Sequence, residues 1–261
     1  MKAMLLAAGK GKRMGALTAT YPKPLLSLGT ETLIHRHLRK LAQSGITEIV
    51  INISHCGDKL RHSVGDVTEW GQKISYSDEG SSPLETAGGI VKALPLLGSD
   101  PFIVISSDIV TDFDFKILLS KEKSGYLVLV PNPAHHQIGD FGMEITGKLT
   151  KRPPLYTYSG IALLDESCFR GFVKDVMPLR NVFDSEVVKE TLHGIIYDGF
   201  WKDVGTPERL EDARDAVASL ETNDAPRPYS AVLHPQQMYG SFGLSNELGQ
   251  VAAVNNSNGA F

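Results

Sequence analysis

Ala3-Met-Leu-Leu-Ala-Ala8, followed at once by Gly9-Lys-Gly-Lys-Arg-Met-Gly15 and seven residues later by Pro22-Lys-Pro24, is the stretch on which the fold turns. The apolar run reads as a short buried strand stopped by glycine. Glycines let backbone N–H groups approach an anion, and interleaved cations neutralise it. Lys2, Lys10, Lys12, Arg13 and Lys23 precede the first acidic residue, Glu31, so this segment carries +5 on a chain of net charge −4. A cationic pocket on an otherwise acidic chain points to a small polyanionic ligand and away from a nucleic-acid groove. Taken alone, the loop reads equally well as an ordinary turn with solvated lysines. It matches neither the Gly-x4-Gly-Lys-Ser/Thr phosphate loop nor the dinucleotide fingerprint, whose third glycine would come one residue earlier.

The 261 residues, 42% of them hydrophobic, favour one large core. Cys56 and Cys168 lie far apart, as small buried thiols do in a reducing compartment. The apolar start is too short for a signal peptide, and no run approaches the ~18 apolar residues of a membrane span. A soluble cytoplasmic protein is expected, with homo-oligomerisation left open.

Moving outward, Thr32–Ser44 has helical spacing, Ile46–Ser54 is strand-like, a helix is expected near Asp58–Val64 and a strand near Lys73–Ser77. Glu85 opens a helix that Pro95 should end, Phe102–Ser107 is an apolar strand, Asp114–Lys123 a helix and Tyr126–Val130 a strand. This alternation predicts an α/β fold with a Rossmann-like, doubly wound, mostly parallel sheet. Phe141–Leu149 and Ser159–Leu164 lack a helix between them and predict an antiparallel excursion. A helix at Asn181–Leu192, a strand from Gly194 through Trp201 to Asp203 and a helix at Pro207–Leu220 complete a domain spanning 1–221. Residues 222–261 read as an appended, irregular tail.

Asp108 directly follows a buried strand, and in open α/β sheets ligands bind at the carboxyl ends of strands. Asp203 ends another strand. Each alone reads as a turn or cap aspartate; together, beside a phosphate loop, they suit Mg²⁺, which takes one or two carboxylates plus substrate phosphates. Asp114 reads as a helix cap, and Asp112 as structural or, less simply, as a second metal neighbour. His37 shares a face with Ile34 and Leu41 and is expected to be partly packed. His135-His136 and His35-x-His37 are weak metal signals. Gly88-Gly89 suits either exposed N–H donors for a nucleobase or a tight turn.

Leu6-Ala-Ala-Gly-Lys-Gly-Lys-Arg-Met14, Pro22-Lys-Pro24, Glu85-Thr-Ala-Gly-Gly89, Ser107-Asp108 and Trp201-Lys-Asp-Val-Gly-Thr206 together resemble the sugar-1-phosphate nucleotidyltransferases, whose fold is glycosyltransferase-A-like. Asn132-Pro-Ala-His-His136, Gly139-Asp-Phe141 and Leu84-Glu-Thr86 are similar to the N-acetylmuramate α-1-phosphate uridylyltransferases of peptidoglycan recycling within that family. The resemblance implies that Ala8, Gly9, Gly11 and Lys12 approach the nucleotide, that Arg13 lies on the triphosphate and that Lys23 bridges the reacting phosphates. It implies Mg²⁺ on Asp108 and Asp203, with Glu79 and Gly88 bordering the base. The sugar phosphate would meet Lys23, Asp140, Gly142, Arg152, Ser159 and Gly160. Two departures stand out: Ser106-Ser107 where relatives often carry glycine, and Lys151-Arg152-Pro153 where many carry Glu-Lys-Pro.

The expected partners are thus a nucleoside triphosphate, UTP favoured, and a sugar-1-phosphate, N-acetylmuramate-1-phosphate favoured. Transfer to mannose- or glucose-1-phosphate with GTP or dTTP, a metal-dependent glycosyltransferase and a non-catalytic nucleotide- or sugar-binding module are the alternatives.

Overall fold

The computed structural model describes residues 1–173 and 175–222. The tail expected at 222–261 lies outside the described residues apart from Thr222, which ends the last helix. The strands of three or more residues are β1 (Lys2–Leu6), β2 (Glu48–Ile53), β3 (Lys73–Asp78), β4 (Phe102–Ser106), β5 (Ile109–Thr111), β6 (Tyr126–Pro131), β7 (Tyr156–Leu164), β8 (His193–Ile196) and β9 (Trp201–Asp203). The principal helices are α1 (Leu33–Gln43), α2 (Gly57–Val64), α3 (Glu85–Leu97), α4 (Leu179–Val188) and α5 (Pro207–Thr222).

Seven strands form one sheet in the order β8-β6-β7-β4-β1-β2-β3. Six run one way and β7 opposes its two neighbours, so the antiparallel excursion lies inside the sheet. Alternate residues of the central strands face opposite cores, as the period of two requires. Ala3 and Leu5 pack with Ile34, Leu38 and Leu41 of α1 and Leu60 of α2, whereas Met4 packs with Ile90 of α3 and Val182 of α4. The fold is therefore a doubly wound α/β sandwich with mostly parallel strands. A smaller core joins Met14, Leu28, Val110 and Val204 to Leu210, Ala213 and Val217 of α5, tying the N-terminal loop to β5 and β9. No helix among the described residues is long and apolar enough to cross a membrane.

Four elements differ from expectation. Pro95 lies inside α3, which ends at Gly98; in the last turn the missing N–H forfeits only the bond to Val91. The helix expected at 114–123 shrinks to Lys116–Leu119, with Leu118 as its buried side chain, because the polar residues beyond offer no apolar face. Phe141–Leu149 is not one strand: Gly142–Met143 pairs antiparallel with Leu149–Thr150 around a turn closed by Gly147 N–H donating to Glu144 O at 2.9 Å. The run from Gly194 to Asp203 is broken near Asp198-Gly199, a turn dipeptide. Its first half joins β6, and its second pairs with β5.

His37 is more deeply buried than expected, and neither ring nitrogen meets a hydrogen-bond partner among the described residues. Burial pushes its pKa down to about 4; the Ile109 backbone lies near without meeting hydrogen-bond geometry and offsets part of that drop. The folded chain thus holds His37 neutral where the unfolded chain protonates it. Its share of stability is complete above about pH 6.5 and is lost as pH falls toward 4, by roughly 3 kcal/mol. Urea titrations across this window should show His37→Leu losing less stability than the native chain; parallel losses would show that His37 is not the titrating group.

Candidate active site

The sheet order reverses between β1 and β4, where ligands bind in open α/β sheets. The last pair there is Leu6 with Ser106, and Ser107 closes the junction by donating from both N (3.2 Å) and Oγ (2.6 Å) to Leu6 O. Above it opens a cleft of about 580 Å³, within the range of ordinary small-ligand sites. Ala8, Gly9, Gly11, Lys12, Arg13, Lys23, Glu79 and Asp108 line it, as do Thr86, Ser106 and Ser107, which the sequence reading quoted without a role, and Asn52, which it passed over. Asn52 did carry a signal: a polar residue inside the apolar run Ile49–Ile53.

The glycine turn is held by its apolar member. Lys12–Met14 forms a short 3₁₀ turn whose Met14 is buried against the α5 core, leaving Lys12 and Arg13 exposed toward the cleft. Thr18 Oγ1 donates to Gly11 O at 2.9 Å. Pro22 and Pro24 flank Lys23 in a second 3₁₀ turn that buries it. The Lys23 Nζ donates to Asp108 Oδ2 at 2.6 Å, with side-chain exposures of 10% and 39% respectively. Asp108 is the more open partner.

Pairing of β9 with β5 sets Asp203 opposite Ile109, and Val204 N–H donates to Asp108 O at 2.8 Å. The two aspartates are thus backbone neighbours across a two-stranded ladder. Asp203 Oδ1 accepts from Arg209 NH1 at 2.6 Å and from Gly205 N at 3.1 Å, while Oδ2 faces His135 Nε2 at 2.6 Å. Among the described residues no group of three or more His, Cys, Asp or Glu forms a metal cage. Asp108, in the turn between β4 and β5, lines the cleft, whereas Asp203, at the end of β9, does not; as oxygen donors the two carboxylates are of the kind Mg²⁺ takes together with water and phosphate.

Glu79 is buried, its Oε1 accepting from Asn52 Nδ2 at 2.7 Å and its Oε2 from Leu84 N at 2.7 Å. Gly88 does not line the cleft. Its N–H donates to Met177 O at 3.2 Å, and a Cβ there would stand 2.1 Å from Asp175 O. Glycine at 88 therefore admits the 175–177 backbone, and Glu85 and Thr86 are the α3 residues on the cleft wall.

Asp140, Gly142, Arg152, Ser159 and Gly160 are not among the residues lining that cleft. Asp140 Oδ2 accepts from Tyr158 N at 2.9 Å, and its Oδ1 lies 3.3 Å from both His136 Nε2 and Arg180 NH1. Ser159 is buried, its Oγ accepting from Ile161 N at 3.2 Å and its carbonyl from Trp201 Nε1 at 2.8 Å. Gly142 is pressed against Pro153 O, Gly160 packs on Ser106, and Arg152 is exposed. Of the expected sugar-phosphate residues, the cleft holds Lys23.

Residues 2–145 match the model of the nucleotidyl transferase family. The chain belongs to that family. It is 41% identical over 226 residues to the N-acetylmuramate α-1-phosphate uridylyltransferase of Neisseria meningitidis serogroup B, covering 82% of this chain and 97% of that one. Identity to the mannose-1-phosphate guanyltransferase of Aspergillus fumigatus is 31% over 232 residues, covering 80% of this chain and 62% of that longer protein. A Bacillus anthracis structure assigned as a glucose-1-phosphate thymidylyltransferase shares the fold with a TM-score of 0.75 at 20% identity, covering 87% of this chain and 97% of that one. This nucleotidyltransferase therefore combines its family's fold with a cleft whose cationic rim and acidic floor meet at Lys23 and Asp108.

Gly88→Ala should destabilise the nucleotidyltransferase by about 1–3 kcal/mol, since its methyl group would overlap backbone that cannot rotate away. An unchanged urea midpoint would show that the 175–177 segment is not seated as described.

Proposed function

We propose that this nucleotidyltransferase transfers a uridylyl group from UTP to N-acetylmuramate-1-phosphate in a Mg²⁺-dependent reaction, releasing pyrophosphate and feeding peptidoglycan recycling in the cytoplasm. The observation that carries the transferase reading is the pair of buried Lys23 with the half-open Asp108 on the floor of a glycine-walled cationic cleft. The choice of uridylyl and N-acetylmuramate is supported by the 41% identity to the meningococcal enzyme over nearly its whole length.

An oxygen of the sugar phosphate would attack the α-phosphorus, forming one O–P bond as the bond to the pyrophosphate oxygen breaks. That oxygen is already anionic, so no general base is needed. The barrier is electrostatic: like unit charges ~4 Å apart repel by ~4 kcal/mol at an effective dielectric of ~20. Lys23 would turn from Asp108 to the meeting phosphates, and Arg13 and Lys12 would hold the outer phosphates. Asp108 and Asp203 would hold Mg²⁺, whose charge, when bound, neutralises phosphate oxygens and the departing pyrophosphate. The chain's own work is to bind two polyanions side by side and align them in line.

Pyrophosphate release measured over a matrix of UTP, GTP, dTTP and CTP with N-acetylmuramate-, mannose- and glucose-1-phosphate tests the reading. The highest kcat/KM should belong to UTP with N-acetylmuramate-1-phosphate. A maximum at GTP with mannose-1-phosphate would replace it with the activity named for the fungal relatives, which the 31% identity also supports. Release of nucleoside diphosphate from a preformed nucleotide sugar would point to a glycosyltransferase. Asp108→Asn should lower kcat roughly 100-fold or more without unfolding the chain. Lys23→Ala should do the same while sparing KM for the nucleotide, and an unchanged rate in either variant would remove that residue from the mechanism.

A further inference from the structure

Ala7, one residue past the last pairing of β1 with β2, donates its N–H to Asn52 Oδ1 at 2.6 Å. Asn52 Nδ2 in turn donates to Glu79 Oε1 at 2.7 Å, and Glu79 Oε2 accepts from Leu84 N at 2.7 Å. Both ends of the Asn52 amide are fixed by chemistry: a backbone N–H only donates and a carboxylate only accepts. These three hydrogen bonds run across the cleft floor from the strand feeding the glycine turn to the turn that opens α3. Asn52 and Glu79 are both buried and both line the cleft. α3 presses on the pair from the side, since a Cβ at Gly89 would lie 2.4 Å from Glu79 Oε1 and 2.9 Å from Asn52 Nδ2.

We propose that Asn52 is a positioning residue of the transfer site, a rigid spacer that sets the distance between the phosphate-binding turn and the wall formed by Glu79 and the start of α3. It touches no reacting atom. Through Ala7 it fixes where Gly9 and Gly11 present their backbone to the phosphates. Through Glu79 it fixes the 80–84 turn, and with it Glu85 and Thr86 on the opposite wall. A spacer of this kind acts on the seat of the nucleotide and leaves the sugar-phosphate side alone. The proposal rests on the cleft being the nucleotide site, as argued above.

The test exploits the polarity of the pair. Asn52→Asp keeps the acceptor for Ala7 but loses the donor to Glu79, setting two carboxylates side by side. Glu79→Gln leaves a single oxygen for two donors. In the combined N52D/E79Q chain the carboxylate at 52 accepts from Ala7 and from the new amide at 79, whose oxygen accepts from Leu84, so every bond is restored with the charge moved by one residue. Kinetics of pyrophosphate release should show each single change lowering kcat/KM for the nucleotide by on the order of 100-fold, with KM for the sugar phosphate unchanged and the combined chain recovering most of the loss. Gly89→Ala, which crowds the pair without deleting a hydrogen-bonding group, should raise the nucleotide KM in the same selective way.

Single variants that lower the melting temperature yet keep both KM values and kcat would overturn the proposal, because Asn52 would then be holding the fold alone. A combined chain that folds but fails to recover nucleotide KM would overturn it too, as would a Gly89→Ala chain with native kinetics. A native chain releasing no pyrophosphate from any pairing would overturn the transferase reading and this proposal with it. An active native chain with unaltered variants would overturn this proposal only.

Discussion

A lysine ammonium nine-tenths shielded from water must have an anion beside it, and here the anion is the carboxylate of Asp108. Breaking such a pair from one side leaves an uncompensated charge, which costs far more than the pair contributes. The pair therefore binds together two parts of the chain, the Pro22-Lys-Pro24 turn and the end of β4. It also leaves the more exposed partner facing the cleft. The arrangement that satisfies the buried cation also sets the Asp108 carboxylate at the wall of the cleft.

The other parts of the site are arranged around that pair. Val204 N–H bonded to Asp108 O brings Asp203 alongside, and α5 supplies Arg209 to hold its carboxylate. His135, from the segment between β6 and β7, takes the other oxygen of Asp203. Both Asp203 oxygens are thus engaged by cationic or N–H donors while Asp108 keeps an open face. The small core of Met14, Val110, Val204 and α5 gives this corner its own apolar support, so the exposed cations of the glycine turn stand on a packed base.

Much of this was legible from residue order. Short apolar runs at β1 and β4 and a β-branched run at β2 read as buried strands, and their alternation with amphipathic helices specified the doubly wound sheet. The Gly9–Gly15 turn and Asp108 follow from the rule that ligands gather at strand ends. Short elements were less legible because tertiary context decides them: the hairpin around Gly147, the division of residues 194–203 and the single helical turn at Lys116–Leu119. Gly88 illustrates a different limit. Its glycine answers to a backbone oxygen almost ninety positions away, and one sequence offers no way to tell that from a nucleobase contact. Asn52 was visible as a polar interruption in an apolar strand, yet its partners come from β1 and from the turn after β3, which only the sheet order brings together.

The claim that Asp108 and Asp203 act as one cation site beside the glycine turn is tested most directly by anomalous diffraction from crystals grown with Mn²⁺ and a non-hydrolysable UTP analogue. The account expects an anomalous peak between the two carboxylates, sharing a phosphate oxygen, with His135 displaced from Asp203 and the triphosphate over Gly9–Arg13. A nucleotide seated there with no metal at either aspartate, or a metal held elsewhere while Asp203 remains clasped by Arg209 and His135, would contradict it.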